Sequence, residues 1–161
     1  MEELKVLIES TKILNHVSAW FDLPINEAEF KETLGIETNS ESYRIIEKKL
    51  PFADEVNEYT PIERLNELAL MYQKIPEELR KSYASFSEYY SDFDEFYNYR
   101  NAIIHYENCN NMVDVAHYLL KQNTTLNENC LQYIDYEAYA QSLADTRRFV
   151  KSEYGIFEIP W

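Results

Sequence analysis

The chain has 161 residues, the length of one ordinary domain, and sets 15 Lys and Arg against 29 Asp and Glu for a formal net charge of −14. Hydrophobic residues make up 45% and aromatics 15%, including 14 tyrosines, so this is a folding chain and not a disordered acidic one. Direct nucleic-acid binding is excluded by the shortage of phosphate-neutralising cations, and glycine-rich phosphate loops by the presence of only Gly35 and Gly155.

No run approaches the roughly 18 apolar residues of a membrane span. The opening MEELKVLIES lacks a basic start and cleavage site, and Cys109 and Cys130 make no disulfide framework. A soluble cytoplasmic protein is expected.

In chain order, Leu4, Val6 and Ile8 alternate with polar residues, as do Val17, Ala19 and Phe21, and both read as half-buried strands. His16 is placed on the second strand as a surface or packing residue. Asn26 with Glu29 three residues on predicts a helix N-terminus, Gly35 predicts its end, and Phe30 and Leu34 stack at i,i+4. Tyr43 to Lys49 reads as a third strand stopped by Pro51. Thr60, Pro61 and Glu63 then predict a helix start, with Ile62, Leu65, Ala69, Tyr72 and Ile75 on its buried face. Pro76 restarts the pattern at Glu77 and Glu78. Ser85 with Glu88 and Ser91 with Asp94 predict two further starts, so residues 61–101 read as several short helices.

Ile103 to Tyr106 reads as a strand. Asn111 with Asp114 opens a helix whose face carries Met112, Val115, Ala116 and Leu119, and Asp135 caps another with Tyr136, Tyr139, Ala140 and Leu143 in register. Phe149–Ser152 and Ile156–Ile159 form a hairpin turning near Tyr154–Gly155. The fold class is α+β: an elongated chain of three small units, a strand–strand–helix–strand unit over 1–60, a short-helix bundle over 61–102, and a mixed unit with a C-terminal hairpin over 103–161, the expected dimerisation domain.

Catalysis finds little support. His105, Cys109, His117 and Cys130 run as H-x3-C-x7-H-x12-C, which lacks the paired spacings of closed zinc sites, so the cysteines read as small apolar fillers. A Cys–His nucleophile would need an electropositive setting that an acidic chain does not readily supply. Carboxylate pairs such as Glu63/Glu67 and Asp92/Glu95 are too abundant to single out an acid–base couple. No enzyme, cofactor or metal is expected.

The acids themselves are the feature. Residues 1–50 hold 10 acids and 6 bases, residues 51–110 hold 12 and 5, and residues 111–161 hold 7 and 4, so the centre is the most acidic. Residues 82–99 carry Glu88, Asp92, Asp94 and Glu95 without a base, interleaved with aromatics; Tyr89, Tyr90, Tyr97 and Tyr99 read as packing residues with surface hydroxyls. First-turn positions account for many of the carboxylates, through the helix dipole, but not for the lack of compensating cations. Uncompensated acids repel one another, and a basic partner is one reason to tolerate that. Duplex DNA carries a phosphate charge every ~1.7 Å of axis, and i,i+4 carboxylates lie ~6 Å apart along a helix, so rows of them can stand in for phosphates. Two copies at −14 each would carry the charge of roughly 14 base pairs.

Tyr133 to Val150, YIDYEAYAQSLADTRRFV, resembles the ArdA antirestriction family in its aromatic-x-Asp-Tyr-Glu-Ala-aromatic run followed by a helix and a strand. AWFDLPI (Ala19–Ile25), LPFADEVNEYTPIERLNEL (Leu50–Leu68) and ENCNNMVDVAHYLL (Glu107–Leu120) are similar to further family segments, in order and at nearly the right length. The resemblance implies a dimeric double-stranded-DNA mimic that occupies the DNA groove of type I restriction–modification enzymes and shields mobile-element or phage DNA by competition. It implies no active site, only a distributed acidic surface, sampled by Glu55, Glu58, Glu63, Glu67, Glu77, Glu78, Glu88, Asp92, Asp94, Glu95, Glu107 and Asp114. Candidate dimer-interface residues are Glu107, Asp114, Tyr133, Asp135, Tyr136 and Glu137. Asn108 and Asn110 stand where family members commonly carry acids, and Lys48–Lys49 interrupt an often acidic stretch, so weaker mimicry is expected there and a shifted target is open. The alternative is an acidic protein–protein adaptor for another basic partner, with one localised patch at residues 83–99.

Overall fold

The computed structural model describes residues 3–11, 17–39, 41–123 and 125–160, which fall into two compact units: one of residues up to 76 with 92–97, the other of 77–91 with the chain from 98 onward. The reading of His16 lies outside the described residues. The mixed α+β class stands: two antiparallel three-stranded sheets are combined with helices. Helix-rich residues 61–101 are shared between the units by compactness.

In the first unit, strands β1 (Lys5–Ser10), β2 (Ser18–Asp22) and β3 (Tyr43–Lys49) pair in the order β2-β1-β3. Alternation places Val6, Ile8, Phe21, Tyr43 and Ile45 on the buried face. Opposite Leu7 and Ile8 the register slips from Glu47 to Ile45, so Ile46 is an extra residue in β3 and turns outward. Helix α1 (Glu27–Leu34) starts where Asn26 accepts from the Glu29 amide and stops at Gly35, left-handed at φ 66. It buries Phe30 between Phe21 and Tyr43, at ring centroid distances of 5.4 and 5.6 Å.

Helix α2 (Ile62–Lys74) buries the predicted face, with Leu68 added. Its start differs from the expectation: Pro61 is the cap residue, and the Thr60 hydroxyl instead accepts from the Asn57 amide at 2.8 Å. Proline fits because the first-turn amide it lacks would find no helical acceptor. Asn66 on α2 pairs with the Ile25 backbone in both directions, accepting at 2.6 Å and donating at 3.0 Å. A 3-10 turn, Ala53–Glu55, follows β3, and Phe52 packs against Tyr72 and Phe93.

The short helices are α3 (Glu77–Lys81), α4 (Tyr83–Phe86) and α5 (Phe93–Tyr99). Two predicted starts move. Ser85 lies inside α4, and α5 is capped by Asp92, whose carboxylate accepts from the Glu95 amide at 2.8 Å, rather than by Ser91. Aspartate competes well for that role because its charge also meets the helix dipole.

The second unit centres on β4 (Ile104–Tyr106), β5 (Arg148–Ser152) and β6 (Gly155–Ile159), ordered β4-β6-β5. Helices α6 (Met112–Lys121) and α8 (Tyr136–Thr146) pack together over this sheet, and Tyr106, Val115, Ala116, Ala140, Leu143 and Ile156 form a buried cluster. Asn111 and Asp135 cap these helices as their sequence positions predict. Phe157, the neighbour of Ile156, carries Phe86 at 5.5 Å and the His105 ring stacked at 4.5 Å. Helix α7 (Glu128–Leu131) was not anticipated: Asn127 caps it, but no Glu or Gln follows at the third position. Tyr90 departs from the surface reading, since its hydroxyl is buried, and Cys130 departs from the filler reading, since it is exposed while Cys109 is buried.

The hairpin closes with Ser152 opposite Gly155, at φ +133, where a Cβ would stand 2.6 Å from His105 Nε2. We therefore expect Gly155→Ala to lose about 2 kcal/mol of unfolding free energy, from backbone strain and displacement of His105 off Phe157. Denaturant melts would check this; a variant as stable as wild type would count against it.

Candidate functional site: an exposed carboxylate surface

Every acid among the described residues is at least partly exposed except Glu158. The acids singled out from sequence divide by what their carboxylates do. Glu55 is half-buried, and its Oε1 accepts from the Phe93 amide at 3.1 Å, so it and Asp92 both serve the start of α5. Asp94 pairs with Arg64, which also reaches Glu67 at 3.1 Å; the Asp94 hydrogen bond chiefly raises the Arg64 pKa above its ordinary value. Glu77 meets Lys81 one turn on at 2.5 Å, and this hydrogen bond holds its carboxyl below the usual range. Asp114 accepts from the Asn110 amide at 2.9 Å while its own amide donates to Asn111. Glu95 is half-buried in the first turn of α5.

Glu58, Glu63, Glu78, Glu88 and Glu107 are exposed, and among the described residues their carboxylates have no partner. They stand on or beside ordered elements: Glu63 in the first turn of α2, Glu78 in that of α3, Glu88 just after α4 and Glu107 just after β4. Fixed position with free charge is what an electrostatic docking surface requires. Exposed acids outside that sample include Glu27, Glu29 and Glu32 on α1 and Glu153 in the hairpin turn. Their signal in the sequence was a helix or turn position; only Glu27 has a cation one turn on, Lys31, which pairs with Glu37 instead.

The proposed interface residues meet different fates. Tyr133 is 88% exposed, and Glu137 is exposed in the first turn of α8. Tyr136 is engaged internally, stacked on His117 at 3.7 Å with its hydroxyl donating to the Leu131 carbonyl. Asp135 accepts from the Ala138 amide. Of the departures, Asn108 takes a left-handed φ of 66, which asparagine tolerates better than most residues. Lys48 donates to the carbonyls of Ala53 and Val56, and Lys49 lies 5.3 Å from the Trp20 ring.

His105, Cys109 and His117 line one surface hollow with Glu107 and Asp114. Among the described residues no group of three His, Cys, Asp or Glu side chains is placed to hold a metal ion. No helix among them is long and apolar enough to cross a membrane.

The acid that sequence could not single out is Glu158, buried on the central strand β6. Its carboxylate accepts from the Tyr106 hydroxyl at 2.5 Å, with Arg147 at 3.7 Å. Burial first, and then this hydrogen bond, raise the Tyr106 pKa well above its ordinary 10.0. A raised tyrosine pKa stabilises the fold fully below the unfolded value and loses that contribution as pH climbs past it. Melting temperature should therefore fall more steeply above pH ~10 for the wild type than for Tyr106→Phe. Parallel slopes would refute this. Among the acids, Glu55→Ala should cost about 1 kcal/mol through the lost cap, and Glu58→Ala under about 0.5 kcal/mol. Equal losses in denaturant melts would show that the division by partner has no energetic content.

No curated protein matches the chain. The family model described as antirestriction protein (ArdA) matches residues 15–158, from before β2 to the penultimate residue of β6. With nearly the whole chain inside that match, the protein belongs to the ArdA antirestriction family.

Proposed function

We propose that this protein is a double-stranded-DNA mimic that binds the DNA groove of type I restriction–modification enzymes and inhibits them by competition. Family membership over residues 15–158 carries the reading. It is supported by a net charge of −14 and by carboxylates that ordered elements hold out with no cation paired to them among the described residues. A groove built to bind phosphates gains from fixed carboxylates what it gains from DNA: neutralisation of its cations and release of the ions around them. Mimicry needs no catalytic step, metal or cofactor. The target is the methyltransferase core, the inhibitor is a homodimer in the cytoplasm, and Tyr133 and Glu137 are its most available interface side chains.

Because the charge is spread, its contributions should be small and cumulative. Each single change among Glu58, Glu63, Glu78, Glu88 and Glu107 to Gln should weaken inhibition less than about threefold, and all five together more than about tenfold. The measurement is displacement of a labelled duplex from a type I methyltransferase across a salt series. Displacement should weaken steeply as salt rises. No displacement at low salt, or complete loss through one of these acids alone, would overturn the mimic.

A further inference from the structure

We propose that the hollow beside strand β5 is a docking site for an acidic peptide segment with an aromatic anchor, contributed by another protein. Its position is in the second unit, where the start of α6, the end of α8 and the hairpin meet. The floor is apolar, made by Met112, Phe149 and Ile156, and the volume is about 370 Å³, room for one large side chain. Its rim is cationic: Arg147, Arg148 and Lys151 all line it, and no acidic residue does.

That composition runs against the rest of the chain. Acids outnumber bases 29 to 15 overall, yet three of the bases surround one apolar depression. Arg147 is shared with Glu158 at 3.7 Å, but among the described residues Arg148 and Lys151 have no acidic partner. Arg148 instead lies 6.0 Å from the Tyr89 ring centroid, at the edge of the same hollow. Exposed cations, two of them with no acidic partner among the described residues, set around an apolar floor, complement a segment that carries carboxylates on either side of a ring. A surface that imitates phosphates would have no use for such a rim, so this site serves a partner of opposite charge. The open, exposed rim suits a chain segment rather than a small molecule, which binding sites normally enclose on most sides.

The test is fluorescence anisotropy with a fluorescein-labelled Asp-Glu-Phe-Asp-Glu peptide and the full chain at low salt. Saturable binding is expected, weakened about tenfold or more by Arg148→Glu with Lys151→Glu, and about fivefold by Phe→Ala in the probe. Far-UV circular dichroism would verify folding of the variant, and Arg148→Gln with Lys151→Gln would replace it if it fails to fold. Absence of saturable binding, equal binding by the charge variant, or equal binding of the alanine probe would overturn the proposal. So would a wild-type dimer in sedimentation that the charge variant dissociates while the peptide does not compete, because the occupant would then be a second copy.

Discussion

Repulsion among carboxylates is the constraint on which everything else in this protein depends. A surface this negative pushes the chain apart, and two cores of aliphatic side chains with aromatic rings among them oppose it. The first is built around Phe30, wedged between Phe21 and Tyr43, and continues through Phe52, Tyr72 and Phe93. The second holds Phe86 and His105 against Phe157 on one side of its sheet, with Tyr106, Ile156 and the α6–α8 pair on the other. Rings suit this task because each buries 150–250 Å² and so compensates for small sheets and short helices. The buried rings and the surface charge are thus two sides of one solution.

Secondary structure was legible where the determinant was local. Asn26, Asn111 and Asp135 cap the helices that follow them, Gly35 ends α1, and β3 spans Tyr43–Lys49. For the helices the deciding hydrogen bond or backbone angle lies within three or four residues, and for β3 the local signal was its residue pattern ahead of Pro51. Expectations slipped where a neighbour from elsewhere decided. Thr60 is drawn into the turn before α2, its carbonyl accepting from Tyr43. The start of α5 is set by Asp92 together with Glu55, which is distant in sequence. The composition change near residues 60 and 102 follows element type, whereas compactness follows which ring packs on which sheet, and that cannot be read from a window of sequence.

The acids repeat the lesson. Sequence gives their number and helical phase, but not whether an amide or guanidinium already occupies them. Asp94 and Glu63 look equivalent as first-turn carboxylates; one is tied to Arg64 and the other is free among the described residues. Glu158 reads as an ordinary alternating strand residue, and only the tertiary fold encloses it with Tyr106. The resemblance carried by the Tyr133–Val150 run identified the family because it needed none of this detail.

Lys48 shows where the charge of such a protein is free to drift. Its ammonium joins the carbonyls of Ala53 and Val56, gathering the turn that holds Glu55, whose carboxylate in turn seats α5. Changing this lysine to an acid would deepen the negative surface and also unfasten that turn. Selection for ever more charge therefore meets a mechanical limit here. Lineages of such a protein would accumulate acids at loosely held positions such as Glu58 or Glu88, and keep a few cations as rivets.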